Sequence, residues 1–126
     1  VRAIDTNVLV RLLTRDDARQ VAAAEAFVES GAWVSHVALA EAAWVLTAVY
    51  ERDRGQIALA IQMLLDHANL ALEDSEVVSN ALRLFREHFA LGFSDCLLLE
   101  IARKAGHLPF GTFDRALGRM PGAERL

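Results

Sequence analysis

Val1-Arg2-Ala3-Ile4-Asp5-Thr6-Asn7-Val8-Leu9-Val10-Arg11 opens the chain: a short apolar run stops at an acid, and a helical pattern starts directly after it. Ala3 to Asp5 reads as the close of a short strand, and Val8, Leu9, Leu12 and Leu13 recur at helical spacing through Thr6 to Thr14. An aspartate at the mouth of a buried strand costs desolvation free energy unless something pairs with it. Asp5 therefore has two readings, a cap for the following helix or a metal-binding carboxylate. The rest of the chain has to choose between them.

The same strand-to-helix passage recurs downstream. Arg15-Asp16-Asp17 reads as a stop followed by cap and first-turn acids of a helix over Ala18 to Glu29, with Val21, Ala24, Phe27 and Val28 on one face. Trp33 to Ser35 is a second strand, and Ser35 caps a helix from His36 to Tyr50, with His36 itself a loop or cap residue. After the charged turn Glu51 to Gly55, a helix runs from Ile57 to His67, and Leu70 to Leu72 form a third strand. Glu73-Asp74-Ser75-Glu76 reads as the cap region of a helix over Val77 to Phe89. Leu91 to Asp95 break the pattern, and an apolar helix follows over Cys96 to Ala105 with Asp95 in its first turn. Phe110 to Phe113 form a fourth strand that gives way at Asp114, and the tail Met120 to Leu126 adds a short edge strand. Strands alternating with helices predict an α/β protein with a parallel sheet covered on both faces.

The bulk properties narrow the class. A chain of 126 residues is one domain in size, read as a single domain over 1–126. The 54% hydrophobic and 24% charged residues are those of a globular protein. A net charge of -4 gives no basic field of the kind that marks many nucleic-acid binders, although a bound divalent cation can supply the positive charge that a phosphate needs. Cys96 is the one cysteine, so no internal disulfide is possible, and it reads as a core thiol in a protein that tolerates a reducing compartment. No apolar run reaches the roughly 18 to 20 residues of a membrane helix, and no basic leader precedes an apolar core. A cytoplasmic protein with no membrane partner is expected.

In an open parallel sheet, functional groups gather beyond the C-terminal ends of the strands. Asp5 and Asp114 each end a strand, Asp95 begins a helix, and Glu41 lies in the second turn of the helix after the second strand. Capping accounts for the three aspartates one at a time. It does not account for Glu41, whose neighbours on its helix face are Val37, Ala38, Trp44 and Val45, an apolar stripe in which an unpaired acid is out of place. Four converging carboxylates cannot all ionise cheaply, and a divalent cation resolves that conflict. Oxygen ligation without a Cys or His cluster suits Mg²⁺ or Mn²⁺ and disfavours zinc. Such a site polarises a phosphoryl oxygen and activates water, so phosphodiester hydrolysis is the reaction class expected.

The segments Asp5-Thr6-Asn7-Val8-Leu9-Val10-Arg11, Ala40-Glu41-Ala42, Phe93-Ser94-Asp95-Cys96-Leu97-Leu98 and Thr112-Phe113-Asp114-Arg115 resemble, in order and spacing, the motifs of PIN-domain ribonucleases. Among these they look most like the VapC toxins of bacterial and archaeal toxin–antitoxin pairs. The likeness covers essentially the whole chain and rests on the order of the acids, since any single motif is weak. It implies a three-layer α/β/α PIN-like fold with a short central parallel sheet of four to five strands. It also implies Mg²⁺- or Mn²⁺-dependent endoribonuclease activity on RNA, frequent homodimerisation, and inhibition by a cognate antitoxin that covers the active-site groove. Position by position, Asp5, Glu41, Asp95 and Asp114 match the family's catalytic and metal-binding acids. Thr112, and with a weaker match Thr6, Asn7 and Ser94, fall at neighbouring polar positions that contact water, metal or phosphate. Arg11, Arg103, Lys104 and Arg115 are the basic side chains expected to steer RNA.

Other small α/β proteins fit less well. A phosphoacceptor receiver domain needs an aspartate ending its third strand and a strand-end lysine, whereas here Leu72 is followed by Glu73-Asp74 and Lys104 sits near a helix end. A haloacid-dehalogenase-like phosphatase needs a second aspartate two positions after the first, where this chain has Asn7. A non-catalytic interaction module of the same fold is the alternative from a different class, and intact acids argue against it, because buried carboxylates without a metal cost stability. A PIN nuclease of RNA processing that works without an antitoxin is the nearer alternative, and the short chain with no appended domain favours the toxin.

Overall fold

The structure is a computed structural model in which residues 2–126 are described. The chain divides into two compact units, one ending at Ser75 and one spanning Glu76–Leu126.

The first unit is built on three short parallel strands, β1 (Arg2–Ala3), β2 (Ala32–Val34) and β3 (Leu70–Leu72), in that spatial order. Ala32 stands between Arg2 and Leu70, and Val34 pairs with Leu72. β2 shows the period of two that a half-covered strand requires, with Ala32 and Val34 buried and Trp33 turned outward. β1 ends at Ala3, before the Asp5 at which the sequence closes the strand. Pairing persists through the Ile4 N–H, which donates to the Trp33 carbonyl at 3.2 Å, and Asp5 lies just beyond as a cap.

Four helices complete this unit: α1 (Thr6–Thr14), α2 (Ala18–Val28), α3 (His36–Ala48) and α4 (Arg54–Asp66). Each begins at a side chain that accepts from the third residue beyond it. Asp5 accepts from the Val8 N–H at 3.0 Å, Asp17 from Gln20 at 3.0 Å, Ser35 from Ala38 at 3.0 Å and Asp53 from Gln56 at 2.8 Å. Gln56 reciprocates to the Asp53 backbone N–H at 2.9 Å, a capping box that starts α4 three residues before the expected Ile57. The acids read as the cap region of the next helix divide differently. Glu73 turns back and accepts from the His36 N–H at 2.8 Å, supporting the first turn of α3.

The second unit holds α5 (Ser75–Glu87, whose first residue closes the preceding unit), α6 (Phe93–Ala105), a single 3₁₀ turn (Leu117–Arg119) and two parallel strands, β4 (Phe110–Thr112) and β5 (Ala123–Arg125). α5 is the most amphipathic helix by sequence, burying Val77, Val78, Ala81, Leu82 and Phe85. It stops at Glu87 rather than Phe89, which is left exposed. α6 begins at Phe93, three residues before the expected Cys96, because extended Gly92 serves as its cap and Phe93 packs edge-to-face on Phe85 at 5.9 Å. Gly106 closes α6 in the left-handed conformation, φ 82°, with its N–H returned to the last turn. Cys96 is a fully buried core thiol, as read from sequence.

The α/β class with parallel strands is as expected. The five strands do not form one ladder, however: among the described residues they pair as a sheet of three and a sheet of two. β4 and β5 pair in parallel, with Phe110 opposite Ala123 and Thr112 opposite Arg125. No helix among the described residues is long and apolar enough to cross a membrane.

Candidate functional site

In the first unit, Asp5 and Glu41 stand at the beginnings of helices that follow strands. Asp5 is exposed and uses one oxygen, Oδ1, to cap α1, so the cap reading holds as far as that atom goes. Its second oxygen receives no hydrogen bond from a described residue. Glu41 lies in the second turn of α3. Its apolar stripe divides: Val37 is 68% and Trp44 65% exposed, while Ala38 is buried together with Leu39, Ala42, Ala43 and Leu46. Glu41 is thus an exposed acid framed by exposed apolar groups, not a buried one. Thr6, the first residue of α1, donates from Oγ1 to Glu41 Oε1 at 3.3 Å, which joins the starts of α1 and α3.

In the second unit, Asp95 occupies the third position of α6, where the helix dipole favours negative charge. Burial nonetheless raises its pKa, and the charge of Asp114 raises it further, against a smaller opposing hydrogen bond at Gly92. Asp114 follows β4. Its backbone N–H donates to Thr112 Oγ1 at 3.0 Å, and its Oδ1 accepts from the Leu117 N–H at 2.8 Å, fixing the turn into the 3₁₀ segment. Thr112 therefore acts on the Asp114 backbone. Asn7 and Ser94 are exposed on the first turns of their helices.

The four basic residues differ in availability. Arg11 is engaged: Nε donates to Gln20, and Nη1 donates to Asp16 and to the Tyr50 hydroxyl, both at 2.8 Å. The Tyr50 bond, then the charge of Asp16, raises its already high pKa. Arg103 bonds Glu100 and the Pro121 carbonyl, and Lys104 pairs with Glu76 at 3.4 Å. Arg115 is exposed and forms no ion pair with another described residue.

Whether these acids suit a divalent cation is decided by their chemistry. The donors are oxygen only, and Asp95 with Asp114 is a pair whose mutual repulsion a cation relieves. Among the described residues no three His, Cys, Asp or Glu side chains stand together as a preformed cage. Mg²⁺ is commonly held by one or two carboxylates, with water and substrate phosphate completing its shell, so a carboxylate pair meets that requirement.

Sequence reasoning missed the Arg11, Gln20, Asp16 and Tyr50 network, in which Tyr50 also donates to Asp16 at 2.9 Å. Only the excess of polar side chains around the end of α1 signals it, and sequence alone does not bring residue 50 to residue 16.

Comparison with known proteins adds one positive result. The sequence model of the PIN domain matches residues 3–123. No curated protein and no solved structure matches the chain.

Proposed function

The chain belongs to the PIN domain family, whose members are in general nucleases, and from that premise we propose that it is a divalent-metal-dependent endoribonuclease hydrolysing RNA phosphodiester bonds. In this proposal residues 1–126 act as one nuclease domain, and Asp5, Glu41, Asp95 and Asp114 are the acids that hold Mg²⁺ or Mn²⁺. The protein works in the cytoplasm as the toxin of a toxin–antitoxin pair, as a homodimer, and is silenced by a cognate antitoxin.

The observation that supports this reading best is the pair Asp95 and Asp114. A carboxyl pushed toward its neutral form by burial and by a second acid is at a disadvantage that a bound dication reverses. Such a cation polarises a phosphoryl oxygen and lowers the pKa of bound water. The chain's own residues prepare for it. Thr6 orients Glu41, Thr112 and the Leu117 N–H hold Asp114, and the Val8 N–H fixes one oxygen of Asp5.

The test is cleavage of total cellular RNA by the purified protein with Mg²⁺, with Mn²⁺ and with chelator, alongside Asp5→Asn, Glu41→Gln and Asp95→Asn. Cleavage is expected only with metal and only in the wild type. Cleavage indifferent to chelator and to all three substitutions overturns the mechanism. Induced expression with and without the neighbouring gene tests the toxin role: growth arrest relieved by that gene is expected.

A further inference from the structure

A cavity of about 390 Å³ opens beside α1 and α2, walled by Val8, Ala24 and Phe27, with Asp5 at its border. That volume falls within the roughly 300–1,000 Å³ of pockets that enclose small ligands. The Phe27 ring is held by the Arg2 guanidinium, 3.6 Å from its centroid. Gln20 also borders the cavity, and its orientation is fixed by chemistry. A guanidinium only donates, so the Gln20 atom facing Arg11 is the acceptor Oε1, and Nε2 is the end left for a ligand.

These features exclude some occupants and favour another. The cation lining the cavity, Arg11, is committed to Asp16, Tyr50 and Gln20, the Arg2 guanidinium is stacked on the Phe27 ring, and the Asp5 carboxylate repels anions, so a phosphate is poorly served. Apolar and aromatic walls beside amide N–H donors suit a flat, neutral group that carries carbonyl acceptors. We propose that this cavity receives a nucleobase of single-stranded RNA beside the phosphodiester that is cut, and that the Gln20 Nε2 donor favours bases with an exocyclic carbonyl oxygen, the stronger acceptor, over adenine, which offers only ring nitrogens. The proposal rests on the ribonuclease reading, because it is Asp5 at the rim that ties the cavity to the cleaved bond.

Binding separates it from catalysis. Methyl and aromatic NMR signals of Val8, Ala24 and Phe27 are followed while short oligouridylate or oligoadenylate is added to the full chain in chelator. Oligouridylate is expected to shift these signals and to bind about twofold to fivefold more tightly than oligoadenylate, as a difference in acceptor strength at one hydrogen bond gives. Gln20→Glu keeps the acceptor for Arg11 but replaces the donors, so it is expected to abolish or reverse the preference with the fold intact. Ala23→Trp, which fills the cavity from α2, is expected to remove the shifts. Unmoved cavity signals, or a preference that survives Gln20→Glu, overturn the proposal. So do signals that ignore RNA and respond only to an added protein partner. RNA cut with a base profile indifferent to Gln20→Glu leaves the nuclease standing without the pocket; RNA bound in the cavity but left uncut with Mg²⁺ and with Mn²⁺ leaves the pocket and removes the nuclease.

Discussion

Asp95, already raised in pKa by burial, is raised further by the negative charge of Asp114. The folded state thus keeps the Asp95 proton to higher pH than the unfolded chain does. Its contribution to stability is present at low pH and is lost as pH rises from the unfolded value, near 3.8, through the higher folded value. Asp95→Asn removes the charge at neutral pH and is expected to stabilise the metal-free protein there. Below about pH 3 the two proteins are expected to melt alike. Thermal melts across this range check it, and a variant less stable than wild type at pH 7 without metal contradicts the assigned strain. Adding Mg²⁺ is expected to stabilise wild type more than the variant.

The double duty of Asp5 can be separated. Asparagine caps a helix about as well as aspartate, so Asp5→Asn is expected to change unfolding free energy by less than about 0.5 kcal/mol, while Asp5→Ala loses about 1 kcal/mol. Both are expected to lose RNA cleavage. Denaturant melts and cleavage assays on the two variants decide it; if Asp5→Asn cleaves normally, Asp5 is a cap and nothing more.

Thr6 is expected to act through Glu41. Thr6→Val removes the 3.3 Å hydrogen bond and should slow cleavage about tenfold, as losing an orienting partner of a metal ligand does. Glu41→Gln should cost far more, and Thr6→Val added to Glu41→Gln should cost little further. Additive losses in this double-mutant cycle would show that Thr6 acts independently of Glu41.

Asp16 carries the opposite pH signature to Asp95. Its pKa is lowered by the Thr14 hydroxyl, then the Tyr50 hydroxyl, with the charge of Arg11 adding to them. The stability it contributes is present above its unfolded pKa and is lost as pH falls through the lower folded one. Tyr50→Phe is expected to lower the melting temperature at pH 7 and to have less effect in strong acid. An effect independent of pH would assign the role of Tyr50 to packing instead.

Much of this was legible in the chain itself. Asp5, Asp17 and Ser35 announce their helices because capping is local: the accepting side chain and the N–H it satisfies are three residues apart. The α/β class followed from strand runs alternating with helical ones, and the order of the acids pointed to the family. Apolar periodicity places the start of α4 at Ile57, whereas the helix begins at Arg54 behind its cap, Asp53.

What the sequence by itself determined is therefore what depends on near neighbours: the helix starts behind Asp5, Asp17 and Ser35, the strand runs and the buried Cys96. Only the tertiary structure decided that Val37 and Trp44 beside Glu41 face outward while Ala38 is covered, since periodicity says which residues share a face and not which part of it is covered. Nor does sequence disclose that Thr6 meets Glu41, that Asp114 weighs on Asp95, or that Arg11 is tied down by Gln20, Asp16 and Tyr50. Hydrogen bonds and Coulomb forces act over a few ångströms whatever the separation along the chain, and folding alone sets those distances.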